Sequence, residues 1–121
     1  MKKIYFLSTC STCNRIIQEL QLRKNNFIYQ DIKTEKITAK QLEELKNKSG
    51  SYESLFSRTA MKYRSMGLNN QTLTEKDYRK YILEEYTFLK RPVILFGENI
   101  FVGNSKKTIA EAKKAIEEIK K

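Results

Sequence analysis

Cys10 and Cys13 are the only thiols in this chain, three positions apart in Cys10-Ser11-Thr12-Cys13. An apolar run, Ile4-Tyr5-Phe6-Leu7, precedes them, and a stretch with helical periodicity begins near Asn14. A strand that hands such a pair to the first turn of a helix suits thiol–disulfide chemistry. A helix N-terminus offers unpaired N–H groups and positive partial charge, both of which favour a thiolate over a thiol. The thiolate is the nucleophile in exchange, so a lowered pKa makes Cys10 reactive at neutral pH. Cys13, one turn further on, is placed to attack a mixed disulfide formed at Cys10. Two other readings fit the same residues. Free cysteines often serve as small core hydrophobes. Half of a zinc site is the other, but the chain has no histidine and no second cysteine pair, so four ligands would require a dimer. Redox use is the favoured reading, and no metal is expected.

Three further residues have types and positions that suit a site. Pro92 is the only proline and stands directly before the run Val93-Ile94-Leu95-Phe96. A proline that merely starts a strand loses nothing by lacking an N–H. The functional alternative is a cis proline that keeps the backbone beside the thiols open to an extended substrate. Arg91 precedes it, and Arg58 lies in Ser57-Arg58-Thr59. A planar guanidinium donates paired hydrogen bonds to an oxyanion or carboxylate and stabilises a nearby thiolate. Solvent-facing charge is the bland reading, and it describes Arg15, Arg64 and Arg79 better.

The elements that carry these residues follow from periodicity. A strand is expected over about Lys3 to Leu7. Cys13, Ile16, Ile17 and Leu20 then recur at helical spacing and predict a helix to about Lys24, broken by Asn25-Asn26. Phe27 to Ile32 reads as a second strand, which makes a parallel pair with a right-handed crossover. Thr38-Ala39-Lys40-Gln41 is a capping box opening a helix with Leu42 and Leu45 that ends before Gly50. Short helices are expected over Ser51 to Phe56 and Thr59 to Met66, the latter stopped by Gly67. Another starts at Thr74 with Tyr78, Tyr81 and Ile82 on one side, and no strand is expected between about 38 and 89. Val93 to Phe96 and Ile100 to Val102 form a hairpin around Gly97-Glu98-Asn99. A last helix runs from about Lys106 to Ile119, with Ile109, Ala112, Ile116 and Ile119 as its apolar stripe. The order βαβ, helices, ββα is that of an α/β thioredoxin-like fold with a mixed four-stranded sheet. Residues 1–121 read as a single domain with a helical insertion over about 38–89.

Composition bounds the rest. At 121 residues with 40% hydrophobic residues, four glycines and one proline, the chain is an ordinary globular one rather than a disordered one. It has no apolar run near the ~20 residues that span a bilayer and no signal-peptide pattern at its start. The expected location is therefore the cytoplasm, with no membrane association, and there a C-x-x-C is catalytic more often than structural. A net charge of +10 favours anionic partners, such as an oxyanion, glutathione, nucleic acid or an acidic protein surface. The lysines are dispersed, densest at Lys106, Lys107, Lys113, Lys114, Lys120 and Lys121, and no nucleic-acid motif accompanies them. Direct DNA binding is not expected.

Taken together, these motifs resemble the arsenate reductase (ArsC) and Spx family. The matching stretches are Leu7-Ser8-Thr9-Cys10-Ser11-Thr12-Cys13, Phe56-Ser57-Arg58-Thr59 with Tyr63 and Gly67-Leu68 downstream, Leu89-Lys90-Arg91-Pro92-Val93-Ile94, and Val102-Gly103. They span nearly the whole chain in order. The resemblance implies a thioredoxin-like core with a helical insert and a cis Pro92. It implies Cys10 as the nucleophile, an arsenate-type oxyanion or a disulfide as substrate, and Arg58 and Arg91 as anion-binding residues. Glutathione with glutaredoxin, or thioredoxin, would be the reductant, with no bound cofactor and a monomeric chain. The chain departs from the reductases in placing Gly103 where they carry a third arginine, and Phe6 at about the place of a histidine. Their arginine soon after the nucleophile is only loosely echoed by Asn14-Arg15. One charge-assisted hydrogen bond fewer is worth about 1.5–3 kcal/mol of anion binding. Cys13 instead resembles the second thiol of Spx, which uses a disulfide switch and binds RNA polymerase. A redox-sensing regulator with a Cys10–Cys13 disulfide is therefore the alternative to an oxidoreductase, and a third is a member retaining only a structural or small-molecule-binding role.

Overall fold

The computed structural model describes residues 1–119, with Ile119 described by its backbone alone. Lys120, Lys121 and the Ile119 side chain, named above among the basic group and the apolar stripe, lie outside the described residues. In chain order the elements are β1 (Lys2–Phe6), α1 (Ser11–Glu19), β2 (Ile28–Asp31), α2 (Ala39–Ser49), α3 (Met61–Ser65) and α4 (Glu75–Glu84). β3 (Val93–Phe96), β4 (Asn99–Val102) and α5 (Lys106–Ile119) complete them. The chain divides into two compact units, one made of Met1–Glu35 and the stretch beginning at Arg91, the other of Lys36–Lys90.

The first unit is built on a four-stranded sheet in the order β2-β1-β3-β4. β1 and β2 run parallel with Ile4 opposite Tyr29. β3 runs antiparallel to β1 with Ile94 opposite Ile4, and β4 antiparallel to β3 with Phe101 opposite Ile94. The sheet is therefore mixed, as the strand–helix–strand opening and the terminal hairpin require. Its core joins Ile4, Ile94 and Phe96 to Ile16, Ile17 and Leu20 and to Ile109, Ala112 and Ile116. The spacing of both helical triplets puts each set on one stripe, so α1 and α5 each bury one side and leave the other wet. Phe27 stacks on Phe96 at 6.0 Å and Phe6 meets Tyr29 edge-on at 5.6 Å.

Three expectations are corrected here. α1 stops at Glu19 rather than near Lys24: Gln21 takes a left-handed φ of 53°, and Leu22–Asn25 form a 3₁₀ turn closed by Asn26 at φ 60°. The Asn25 side-chain amide donates to the Gln21 carbonyl at 2.7 Å, a local bond that competes with continued α-helix, and the turn carries Leu22 into the core. β2 is shorter than Phe27 to Ile32, although both of those end residues are buried. The hairpin turn has two residues, because Asn99 already pairs with Phe96. Gly97 supplies the positive φ, 61°, that a two-residue hairpin turn needs.

In the second unit, Thr38 accepts the Gln41 N–H and Gln41 Oε1 accepts the Thr38 N–H, both at 3.1 Å, and α2 ends at Gly50 with φ 105°. Thr74 and Asp77 form the same reciprocal cap on α4. The block is not wholly helical. Phe56 is extended and bridges Leu89 antiparallel, with Ser57 N–H donating to Phe88 O at 2.7 Å and Lys90 N–H to Leu55 O at 2.9 Å. The expected Ser51–Phe56 helix is accordingly reduced to a 3₁₀ turn at Glu53–Leu55, and α3 is trimmed to Met61–Ser65 before Gly67 at φ 72°. Phe56 anchors this unit: it stacks on Phe88 at 5.0 Å and meets Tyr78 at 4.9 Å and Tyr63 at 5.9 Å. Among the described residues no helix is long and apolar enough to cross a membrane.

Ile16→Ala empties the centre of the first unit's core and is expected to lower the unfolding free energy by about 2–5 kcal/mol. Thr38→Ala, which removes one cap, should cost about 1 kcal/mol. Urea denaturation measures both, and a smaller loss for Ile16 than for Thr38 would contradict this packing.

Candidate active site

The nucleophile's position is set by the exit from β1. The Cys10 N–H donates to Leu7 O at 2.9 Å, and its carbonyl accepts the Asn14 N–H at 3.1 Å, the first bond of α1. Cys10 is thus the N-cap, with extended φ −90° and ψ 113°. Side chains fasten the same loop. Asn14 Nδ2 donates to Ser8 O at 3.0 Å, and Ser8 Oγ donates to Asp31 Oδ2 at 2.5 Å. The Ser8 hydroxyl is the main reason the Asp31 carboxyl sits below the usual carboxylate range. The parallel register, Phe6 opposite Asp31, is what brings the ends of β1 and β2 together. Sequence reasoning did not single out Ser8, Asn14 or Asp31. Their only signal was short polar side chains, Ser8 and Asp31 at the ends of two strands predicted to be parallel neighbours and Asn14 in the first turn of the helix between them.

Electrostatics separate the two free cysteines, Cys10 partly exposed and Cys13 buried. Partial burial alone would raise the Cys10 pKa, but opposing influences hold it below the usual thiol value: the Cys13 N–H, the Cys13 thiol, the Thr12 N–H and the Arg91 charge. The neutral thiol makes no capping hydrogen bond, so these amides act chiefly on the ionised sulfur. Cys13 goes the other way. Burial pushes it up to about 11; a Leu7 backbone hydrogen bond opposes this, the bond to Cys10 and the Cys10 charge add to it, and Arg91 counteracts it in part. One helix terminus therefore holds an ionisable sulfur and, one turn away, a buried protonated one.

Arg91 and Pro92 come to the same place through β3. The antiparallel register, Tyr5 opposite Val93, sets Pro92 beside the end of β1, where the chain turns toward Cys10. The Arg91–Pro92 peptide is cis, and the buried Pro92 accepts the Gly103 N–H through its carbonyl at 2.9 Å. Gly103 itself has φ 91°, where any side chain would be strained.

Arg58 belongs to the unit Lys36–Lys90 and has its own partners there. Its Nη2 donates to Glu53 Oε2 at 2.6 Å and to the Tyr78 hydroxyl at 3.0 Å, and its guanidinium lies over the Tyr78 ring at 5.7 Å. The hydrogen bond to Glu53 is the leading cause of its raised pKa. Glu53 is held in turn, since the Glu75 carboxylate accepts the Tyr52 N–H at 2.7 Å and the Glu53 N–H at 3.0 Å. Of the five residues singled out from sequence, Cys10, Cys13, Arg91 and Pro92 are thus brought together. Arg58 is carried with Glu53, which the sequence did not mark, and Tyr78, read from the sequence only as part of a helix face, because their separations of 5 and 20 residues follow no regular period.

A mixed sheet in the order β2-β1-β3-β4, a C-x-x-C at the start of the first helix and a proline opening the third strand define a thioredoxin-like protein. Within that class the chain belongs to the ArsC family, whose sequence profile matches residues 5–112. Solved structures agree on the fold. The arsenate reductase from Vibrio cholerae superposes with a TM-score of 0.77 at 14% identity, over 92% of this chain and 96% of that one. SACOL0876 from Staphylococcus aureus COL gives 0.74 at 24% identity, over 92% and 97%. An arsenate reductase (ArsC) related protein from Brucella melitensis gives 0.68 at 20% identity, over 91% and 92%. No curated protein matches the chain by sequence.

Alkylation followed against pH should show Cys10 titrating below 9.0 and Cys13 near 11. Arg91→Gln removes one stabilising charge and is expected to move the Cys10 midpoint upward. A midpoint that stays put would remove Arg91 from the site.

Proposed function

We propose that this protein is a thiol oxidoreductase of the ArsC type with Cys10 as its nucleophile. The observation that carries this reading is the placement of two cysteines at one helix terminus, Cys10 at the N-cap and partly exposed, Cys13 one turn on and buried. Their opposed pKa shifts, Cys10 down and Cys13 up, agree with it. A thiolate beside a protonated thiol is the pair that exchange chemistry uses. With a disulfide substrate, the Cys10 thiolate attacks one sulfur, a new S–S bond forms, and the other sulfur leaves as a thiolate that takes a proton from solvent. Cys13, once deprotonated, attacks Cys10 Sγ, expels the second substrate thiolate and leaves a Cys10–Cys13 disulfide. A reductant of the glutathione–glutaredoxin or thioredoxin type returns both cysteines to thiols and is itself oxidised. With arsenate, the Cys10 thiolate attacks arsenic and forms an S–As bond, and the displaced hydroxyl takes a proton from solvent and leaves as water. A second thiol then attacks Cys10 Sγ, the S–As electron pair stays on arsenic, arsenite departs, and the two sulfurs are left as a disulfide.

Arg91 serves this chemistry by favouring the thiolate and by pairing with an incoming anion, and Pro92 offers its backbone to an extended substrate. Arg58 takes the part of a second anion-binding residue, as the family resemblance implies. The protein acts in the cytoplasm as a monomer. A second reading rests on the hydrogen bond from Cys13 to Cys10: a Cys10–Cys13 disulfide used as a switch in an Spx-like regulator that docks on RNA polymerase.

Cys10→Ser is expected to reduce turnover to background with both arsenate and a glutathione mixed disulfide. Cys13→Ser should still form the first adduct and accumulate it, visible by mass spectrometry as glutathionylated Cys10. Undiminished turnover in Cys10→Ser would overturn the enzymatic reading. Polymerase subunits retained by the oxidised chain alone, with no turnover on either substrate, would favour the regulator.

A further inference from the structure

The ion pair at Arg58 has a consequence for substrate choice. Arg58 donates to Glu53 at 2.6 Å with side chains 47% and 54% exposed, so an anion arriving from solvent meets a guanidinium that already holds a carboxylate. The pair is not a chance surface encounter. Glu75 fixes the Glu53 backbone from the start of α4, and Tyr78, three residues along α4, gives Arg58 its second acceptor and a ring to lie over. Phe56 in turn packs on Tyr78 at 4.9 Å, so that the cluster is tied to the aromatic core of its unit. Lys62, a nearby cation in the sequence, pairs instead with Glu85 at 2.5 Å and leaves the Glu53 carboxylate to Arg58.

We propose that Glu53 is a built-in competitor for anionic substrates at Arg58, and that this pairing biases the protein toward disulfides and away from free dianionic oxyanions. The inference rests on the reading of Arg58 as an anion-binding residue. A dianion must compete with the Glu53 carboxylate for the Arg58 charge and tolerate that carboxylate close by, whereas a neutral disulfide need not engage Arg58 at all. The effect adds to the absence of an arginine at Gly103, whose φ of 91° disfavours any side chain there. Glu53 is thus a specificity-determining residue, acting through Arg58 rather than on the reacting sulfur.

The test is sulfate binding, measured by calorimetry at one pH and ionic strength, in the wild-type chain, Glu53→Gln, Arg58→Gln and the double variant. Gln is close to Glu in size, and Glu53→Ala repeats the measurement without any side-chain acceptor; thermal melts confirm that each variant is folded. Releasing an exposed pair should tighten sulfate binding about two- to fivefold in both Glu53 variants. The gain should vanish in the double variant, which then binds no better than Arg58→Gln. A residue that merely holds Arg58 in place would give the opposite sign, with Glu53→Gln weaker than wild type. The proposal is overturned by weaker or unchanged binding, by a gain that survives without Arg58, or by sulfate binding to none of the four. Wild-type exchange with a neutral disulfide, followed separately, tests the Cys10 reading: its absence would sink that reading together with the bias toward disulfides, and its presence with flat sulfate data would sink only the competition at Arg58.

Discussion

The amides at the start of α1 that face the Cys10 sulfur are the interaction on which the site depends. They do so only because the helix is held at one rotation about its axis, by Ile16, Ile17 and Leu20 packed against Ile4, Ile94 and Phe96. Cys13 lies on that same buried stripe, one turn before Ile16 and Ile17, while Cys10 lies just outside the helix at the cap. The contrast between the two thiols is therefore a consequence of helical periodicity. A three-residue spacing that starts at the N-cap puts one sulfur in the amide field at the surface and the other into the core, where burial keeps it protonated.

The large positive charge of the chain contributes less than its size suggests. Exposed charges further apart than about 8–10 Å are largely screened at physiological salt, so dispersed lysines add little at one sulfur. Arg91 is a charged side chain whose field lowers the pKa of both thiols. Its reach follows from the β1–β3 register, since Tyr5 opposite Val93 brings the residues before β3 to the end of β1. The placement of one strand thus sets which positive charge reaches the thiolate.

Much of this was legible in the sequence, and where it was not the reasons are physical. The strand–helix–strand opening, the Thr38 and Thr74 helix starts, the hairpin and the last helix all announce themselves through local pattern or local chemistry. The end of α1 did not, because Leu22 continues the apolar pattern after the backbone has already left the helix at Gln21. The Phe56–Leu89 bridge joins residues 33 positions apart in a block that reads as helical, and nothing local marks a single bridge. At the site, Cys10, Cys13, Arg91 and Pro92 were visible because their residue types are rare or chemically distinct. Ser8, Asn14 and Asp31 were not, since they are common polar residue types whose joint role exists only once β1 and β2 are paired. Glu53 was hidden for the same reason: a carboxylate becomes informative when the guanidinium it meets is known.

The distribution of positive charge bears on which reaction suits this chain. An oxyanion carrying two charges needs several fixed donors, each worth about 1.5–3 kcal/mol when charge-assisted. A thiolate attacking a disulfide needs only its own ionisation and a resolving sulfur within reach. At Gly103 the backbone has φ 91° and its N–H is engaged by Pro92 O, so an arginine side chain there would require a different local backbone. The Arg58 charge is matched by Glu53. The features that favour the Cys10 thiolate, two helix amides, the Cys13 thiol and Arg91, involve neither Gly103 nor Glu53. On the reading proposed here, the chain keeps what sulfur exchange demands while offering less positive charge than a doubly charged oxyanion would exploit, which places disulfides ahead of arsenate as its natural substrates.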